Sequence, residues 1–138
     1  MTDVLADTHT VIWYLFDPDR LSAGAVTALA GAARGGTIFV SAMTLVELSY
    51  LAGKKSFPYT GVLSRLLTLI TDPSEPIDVL PVTLEVALAM DRVPRGEVPD
   101  MPDRIIAATA VAHNLPLVSV DSDIQGSAGL KALVPVIW

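Results

Sequence analysis

DMPDRIIAATAVAHNLPLVSVDSD, residues 100–123, is the stretch whose reading decides the fold. Pro102 opens a helix, a position where its missing N–H costs nothing. The run of Ile, Ala and Val that follows is interrupted only by Arg104, Thr109 and His113, the pattern of a core helix. A short turn at 114–116 leads into LPLVSV (115–120), an apolar run that reads as a buried strand, and Asp121 stands where that strand runs out. At about 100° per residue, Asp103 falls in line with Ala107, Ala110 and Val111, the small-residue side that can approach a sheet closely. Open α/β sheets place ligands at the carboxyl ends of their strands. Asp103 and Asp121 are thus aimed at one spot.

Outward from that stretch, the chain alternates between strands and helices. DVLAD (3–7) reads as a strand and THTVIWYLF (8–16) as a helix; DPDRLS (17–22) is a loop whose Ser22 caps a helix ended by Gly35 and Gly36. TIFVS (37–41) is a strand by its β-branched and aromatic content, and AMTLVELSYLAG (42–53) a helix. A loop at 54–60, a helix at 61–70 and the Pro-rich linker TDPSEP (71–76) precede a strand at 77–82. A helix at 83–93, in which Glu85 and Asp91 are solvated, and a loop at 94–99 lead to Asp100. After Asp123 the chain is expected to make a Gly-rich turn and a last strand, LVPVIW. Strands that are apolar throughout and separated by helices indicate an α/β fold: a mostly parallel sheet of four to five strands with helices on both faces.

A chain of 138 residues fits a single domain, 1–138, with a sizeable core. The hydrophobic fraction of 51% against 17% charged residues excludes disorder. No apolar run is long enough to span a bilayer and the start carries no basic leader, so the expected location is cytoplasmic, with no membrane partner. Zero cysteines exclude disulfides, thiolate zinc sites and cysteine nucleophiles. The formal net charge of −6 argues against a stand-alone nucleic-acid binder unless several acids converge on a cation, which reverses the local field.

Four acids occupy positions that such a sheet can bring together. Asp7 and Asp121 end strands, and Asp103 opens the core helix. Asp7 alone reads equally well as an N-cap, and Asp3 as a solvated terminal residue. Glu47 falls between Met43, Tyr50 and Leu51 on its wheel, so its carboxylate must be paired, protonated or metal-bound. Clustered carboxylates raise one another's pKa, and a cation resolves the conflict. An all-oxygen set with no Cys and no paired His favours Mg²⁺ or Mn²⁺ over Zn²⁺, and such ions serve phosphodiester hydrolysis. Rival chemistries lack their motifs: there is no Walker loop, dinucleotide fingerprint or nucleophile elbow, and nothing positions a serine beside His9 or His113. His113 reads as a helix C-terminal or surface residue. With two Trp, three Tyr and three Phe, stacking platforms for single-stranded RNA are sparse.

LADTHTVIWYL, FVSAMTLVEL, DMPDRIIAATAVAHNLPLVSVDSDI and VPVIW together resemble the PIN-domain ribonucleases, and among them the VapC toxins of type II toxin–antitoxin pairs. The resemblance spans nearly the whole chain. It implies a PIN-like three-layer sandwich and an Mg²⁺- or Mn²⁺-dependent endoribonuclease whose catalytic and metal-holding acids are Asp7, Glu47, Asp103 and Asp121. It further implies an auxiliary acid at Asp123, a hydroxyl at Ser119 that holds a carboxylate or a water, and an acid at Asp100 that equally caps the helix opened by Pro102. The implied partners are an RNA substrate (tRNA or rRNA), a VapB-type antitoxin whose basic side chain reaches the acids, operator DNA only through that antitoxin, and a second copy. The dimer face is expected on the helix carrying Glu47 and the one after it, with Trp13 and Tyr14 contributing. Two other readings stand beside this one: a PIN protein acting mainly as a binding module in a DNA-binding complex, and a metal-dependent phosphatase on a similar scaffold.

Overall fold

Alternation along three residues sets the layering. The computed structural model describes residues 2–138, and in it Val4–Ala6 (β1) is buried on both faces. Val4 and Ala6 point into one apolar core and Leu5 into the other. Ile38–Ser41 (β2) and Ile77–Leu80 (β3) extend the sheet on one side of β1, and Leu117–Val118 (β4) and Val136–Ile137 (β5) on the other, giving the order β3-β2-β1-β4-β5 with every pairing parallel. The expected mostly parallel α/β sheet is present, with five strands among the described residues.

Helices cover both faces. Thr8–Phe16 (α1), Ala23–Gly35 (α2), Ala42–Ala52 (α3) and Val62–Ile70 (α4) pack Val11, Ile12, Leu29, Leu48 and Leu66 against the Val4/Ala6 side. Leu84–Ala89 (α5) and Met101–His113 (α6) pack Val86, Ile106, Ala107 and Ala110 against the Leu5/Leu117 side. The alanines of α6 do what small residues permit, bringing the helix close enough to the sheet to bury Ala107, Ala108 and Ala110 completely. Asn114, with φ 51°, takes the left-handed conformation that ends α6 and turns the chain into β4.

From β1 the chain steps outward through β2 to β3 and then returns to the other side of β1 for β4. Strand order therefore reverses between β1 and β4, and loops leaving their carboxyl ends diverge around a crevice. Asp7 follows β1 directly, and Ser119 and Asp121 follow β4.

Several expected boundaries shift. The strands are shorter: 3–7 becomes Val4–Ala6, 77–82 stops at Leu80 and LPLVSV pairs only through Leu117–Val118. The helix at 83–93 breaks after Ala89 into a tight 3-10 turn, Met90–Arg92, and Pro18–Arg20 forms another in the 17–22 loop. The tail is helical where a Gly-rich turn was expected: Ser122–Gly126 (α7) and Ala128–Lys131 (α8) are short helices capped by Asp121 and Ser127, and the last strand is Val136–Ile137 alone. Asp3 is half-buried, and its Oδ1 accepts the Thr37 N–H at 2.8 Å, closing the entry to β2 rather than lying free in solvent.

Leu5 is fully buried at the centre of the sheet. Leu5→Ala should lower stability by about 2–5 kcal/mol, measured by urea denaturation, without changing the far-ultraviolet spectrum of the folded protein.

Candidate active site

The site begins with Asp7, the residue between β1 and α1. Its backbone is extended and its Oδ1 accepts the Thr10 N–H at 2.9 Å, so it caps α1. The Ser119 hydroxyl donates to its other oxygen, Oδ2, from the end of β4. Both the capping and the site reading of Asp7 hold. The side chain is 5% exposed, and burial raises its pKa above the usual carboxylate range, opposed by the hydrogen bonds from Ser119 and Thr10.

Ser119 is a junction. Besides holding Asp7, its Oγ accepts the Asp121 N–H at 3.1 Å, which fixes the turn leaving β4. Asp121 in turn caps α7 through its Oδ2, which accepts from the Ile124 N–H at 3.0 Å. Asp100 repeats the arrangement at α6, its Oδ2 accepting the Asp103 N–H at 3.2 Å. Three acids thus sit at three helix N-termini, where unpaired N–H groups and the helix dipole favour negative charge.

Asp103 lies in the first turn of α6, half-buried and with no hydrogen-bond partner for its carboxylate among the described residues. Its pKa is raised to about 7 by burial first, then by Asp121, Asp100, Glu47 and Asp7 in that order. The neighbouring Arg104 does not relieve this charge. Buried to 5% exposure, Arg104 points the other way and donates to the Val98 carbonyl at 3.1 Å and the Met90 carbonyl at 2.8 Å. It ties the 90–98 segment to α6.

Glu47 projects from α3 with no ion pair among the described residues. Its Oε1 accepts the Thr8 hydroxyl at 2.6 Å, and Thr8 Oγ1 also meets Thr44 Oγ1 at 3.0 Å. Burial raises its pKa, the Thr8 bond opposes that, and Asp100 and Asp7 add to it. Glu47 is half-buried: its wheel neighbours Met43 and Leu51 pack against the two cores while Tyr50 is 68% exposed, and the carboxylate lies at the edge of that stripe, on the cleft. On the far side, Glu97 Oε1 accepts the Ser127 hydroxyl at 2.6 Å and the Gly129 N–H at 3.0 Å. Gly129 sits so close to Pro94 that a Cβ there would collide with Pro94 Cγ. The loop delivering Asp100 is therefore clipped to the α7–α8 junction.

Asp7, Glu47, Asp100, Asp103 and Asp121 line one cleft of about 250 Å³ together with Thr8, His9 and Val120. Asp123 is exposed in the first turn of α7 and is not among the lining residues. Among the described residues no three of these side chains stand close enough to enclose an ion as they are arranged. Thr8, Thr10 and Thr44 were not singled out from sequence. The alternating Thr-His-Thr after Asp7 is the available signal, placing two hydroxyls on the buried side of α1, where Thr10 Oγ1 donates to the Val118 carbonyl at 3.0 Å.

A PIN-domain family model matches residues 4–129. The chain belongs to the PIN-domain family. Ribonuclease VapC22 of Mycobacterium tuberculosis is 34% identical to this PIN chain over 122 residues, 88% of each protein. The same architecture occurs in VapBC2 from Rickettsia felis, solved bound to a DNA fragment from their promoter, with a TM-score of 0.68, 16% identity and coverage of 97% of this chain and 96% of that one. VapBC-5, a member of the VapBC family of toxin–antitoxin systems from Mycobacterium tuberculosis, aligns with a TM-score of 0.59 at 19% identity, covering 99% and 98%. At these identities the structural likenesses speak for the fold, which is the three-layer PIN sandwich.

The raised pKa of Asp103 carries a sign. An acid protonated more readily in the fold than unfolded stabilises below its unfolded pKa, and that contribution is lost as pH rises through its folded value. Metal-free protein should therefore lose stability between about pH 4 and pH 7, the interval set by the shift from 3.8 to about 7. Asp103→Asn should flatten that slope and raise Tm at pH 7.5 by roughly 3 °C, measured by thermal melts in EDTA across the pH range.

Proposed function

We propose that this chain is a divalent-metal-dependent endoribonuclease toxin of the VapC type, hydrolysing phosphodiester bonds in tRNA or rRNA in the cytoplasm and neutralised by a cognate antitoxin. The observation that carries the reading is the convergence of four carboxylates, from β1, α3, α6 and the end of β4, on one cleft at the switch point of a PIN sheet. The whole chain is taken as a single PIN domain. Among the described residues no helix is long and apolar enough to cross a membrane.

The donor set fits a hard divalent cation. Its ligand atoms are all oxygen, and burial together with the repulsion of the neighbouring acids lifts Asp103 to about 7, a strain that a bound cation relieves. Asp7, Glu47, Asp103 and Asp121 would hold Mg²⁺ or Mn²⁺, with the half-buried side chains turning inward to do so. When bound, such an ion lowers the pKa of a coordinated water and neutralises charge at phosphate. The chain's own contribution is orientation. Ser119 and the Thr10 N–H fix both oxygens of Asp7, Thr8 fixes one oxygen of Glu47, and the backbone of α7 fixes one of Asp121, leaving the remaining lone pairs toward the cleft. Asp123 stands outside this set as an outer acid, and Asp100 serves first as the cap that aims Asp103.

The acidic balance of the chain agrees with a basic antitoxin segment over the cleft, and operator DNA would be met only through that antitoxin. Apolar side chains exposed on α3 and α4 (Val46, Tyr50, Leu67) and on α5 (Leu84, Leu88) leave surface for the antitoxin and for a second copy. Trp13 and Tyr14, expected at the dimer face, are half-buried against the chain's own core.

Asp7→Asn and Asp103→Asn should each abolish RNA cleavage and growth inhibition while the far-ultraviolet spectrum is retained. EDTA should stop the wild-type reaction and Mn²⁺ restore it. A folded Asp103→Asn protein with full activity would contradict the assignment.

A further inference from the structure

One side chain at the cleft is left without a task by the carboxylate chemistry. His9 is exposed at the second position of α1, lines the cleft beside Asp7 and Glu47, and has no hydrogen bond or ion pair among the described residues. It is nonetheless not a loose surface histidine. One turn along α1, Trp13 meets it edge-on, with ring centroids 6.0 Å apart at 63°. Trp13 is held in turn by Trp138 at 5.9 Å and by the Arg20 guanidinium, 5.4 Å from its ring centroid. The two tryptophans of the chain, in a protein poor in aromatics, therefore stand together in one row that runs from the cleft along α1.

We infer that the His9 imidazole, buttressed by Trp13, is a stacking shelf for a nucleobase of the RNA strand flanking the bond that is cut; this rests on the ribonuclease reading above. The edge-on contact leaves at least one face of the imidazole clear of Trp13, since perpendicular rings share at most one face. The surrounding charge favours a contact of this kind. Away from the acids that would hold a cation, a chain of net charge −6 offers the flanking phosphates little attraction, and contacts to the uncharged bases gain weight there. Base–aromatic stacking is the sequence-tolerant way to do so, and cations stacked on aromatic rings add to it. Arg20, over Trp13 and paired with Asp17 at 3.2 Å, extends the row away from the acids of the cleft.

The test uses full-length protein and a short single-stranded RNA containing one mapped cleavage site. His9→Ala and His9→Gln should raise KM about ten-fold with kcat within about three-fold of wild type, whereas His9→Phe should keep KM within about three-fold. Replacing in turn each nucleotide flanking the scissile phosphate by an abasic one should, at one of the two positions, raise the wild-type KM by a similar factor and leave the His9→Ala protein unchanged. Trp13 and Trp138 are the only tryptophans, so their emission should respond when the same RNA is titrated in EDTA, and that response should weaken in His9→Ala. A His9→Phe protein as impaired as His9→Gln, a loss confined to kcat, or additive effects of the abasic site and His9→Ala would overturn the shelf. Normal cleavage by wild type and His9→Ala alike would remove the shelf and leave the nuclease standing. An emission response that depends on His9 in a wild-type protein that cuts no RNA would remove the nuclease and keep the shelf.

Discussion

A buried carboxylate between two parallel strand ends governs this molecule. Asp7 is nearly out of solvent, and among the described residues no lysine or arginine pairs with it; hydroxyl and amide groups hold its charge. A buried anion without donors would cost several kcal/mol, so the placement of Ser119 and of the first turn of α1 is a condition for the sheet to close at β1 and β4. Ser119 meets that condition from one strand while it fixes the departure of Asp121 from the same strand. One hydroxyl therefore sets the spacing between two acids that lie far apart in sequence.

Capping and chemistry are carried by the same atoms. Asp7, Asp100 and Asp121 each give one carboxylate oxygen to a helix N-terminus. Their positions follow from backbone geometry and not from freely rotating side chains, and the partial positive ends of α1, α6 and α7 offset part of the repulsion among them. Asp103 and Glu47 lack that backbone tether, and burial, with the neighbouring negative charges adding to it, raises both pKa values.

Much of this was legible in the sequence, for physical reasons. Apolar strands separated by helices force a covered parallel sheet, and the small-residue face of α6 shows which side meets it. Acids at strand ends then fall at the switch point whatever the loop details. Where the reading failed, the determining contact was long-range or the element was very short. Asp3 looked solvated because its partner, the Thr37 N–H, is 34 residues away. The tail looked like a turn because α7 and α8, of five and four residues, are too short to show a period and exist through their caps. Arg104, read only as a polar interruption of the core helix, has its direction set by the carbonyls of Met90 and Val98, both outside that helix. The Thr-His-Thr run after Asp7 shows two hydroxyls facing inward, but only the packing of α3 against α1 makes Thr8 the holder of Glu47.

The clip between Glu97, Ser127 and Gly129 turns the 94–99 loop from a connector into a spacer of fixed length. One end is pinned at Pro94 against Gly129, and the other ends at the Asp100 cap. Of the residues between those pins, Arg95 and Gly96 are exposed and can change identity, whereas Glu97 makes the clip and Val98 is buried in the core with its carbonyl on Arg104. An insertion there would shift the start of α6 away from β4, and the two halves of the acidic cleft would part. Among variants of this chain, the length of that loop is therefore a ruler of cleft width.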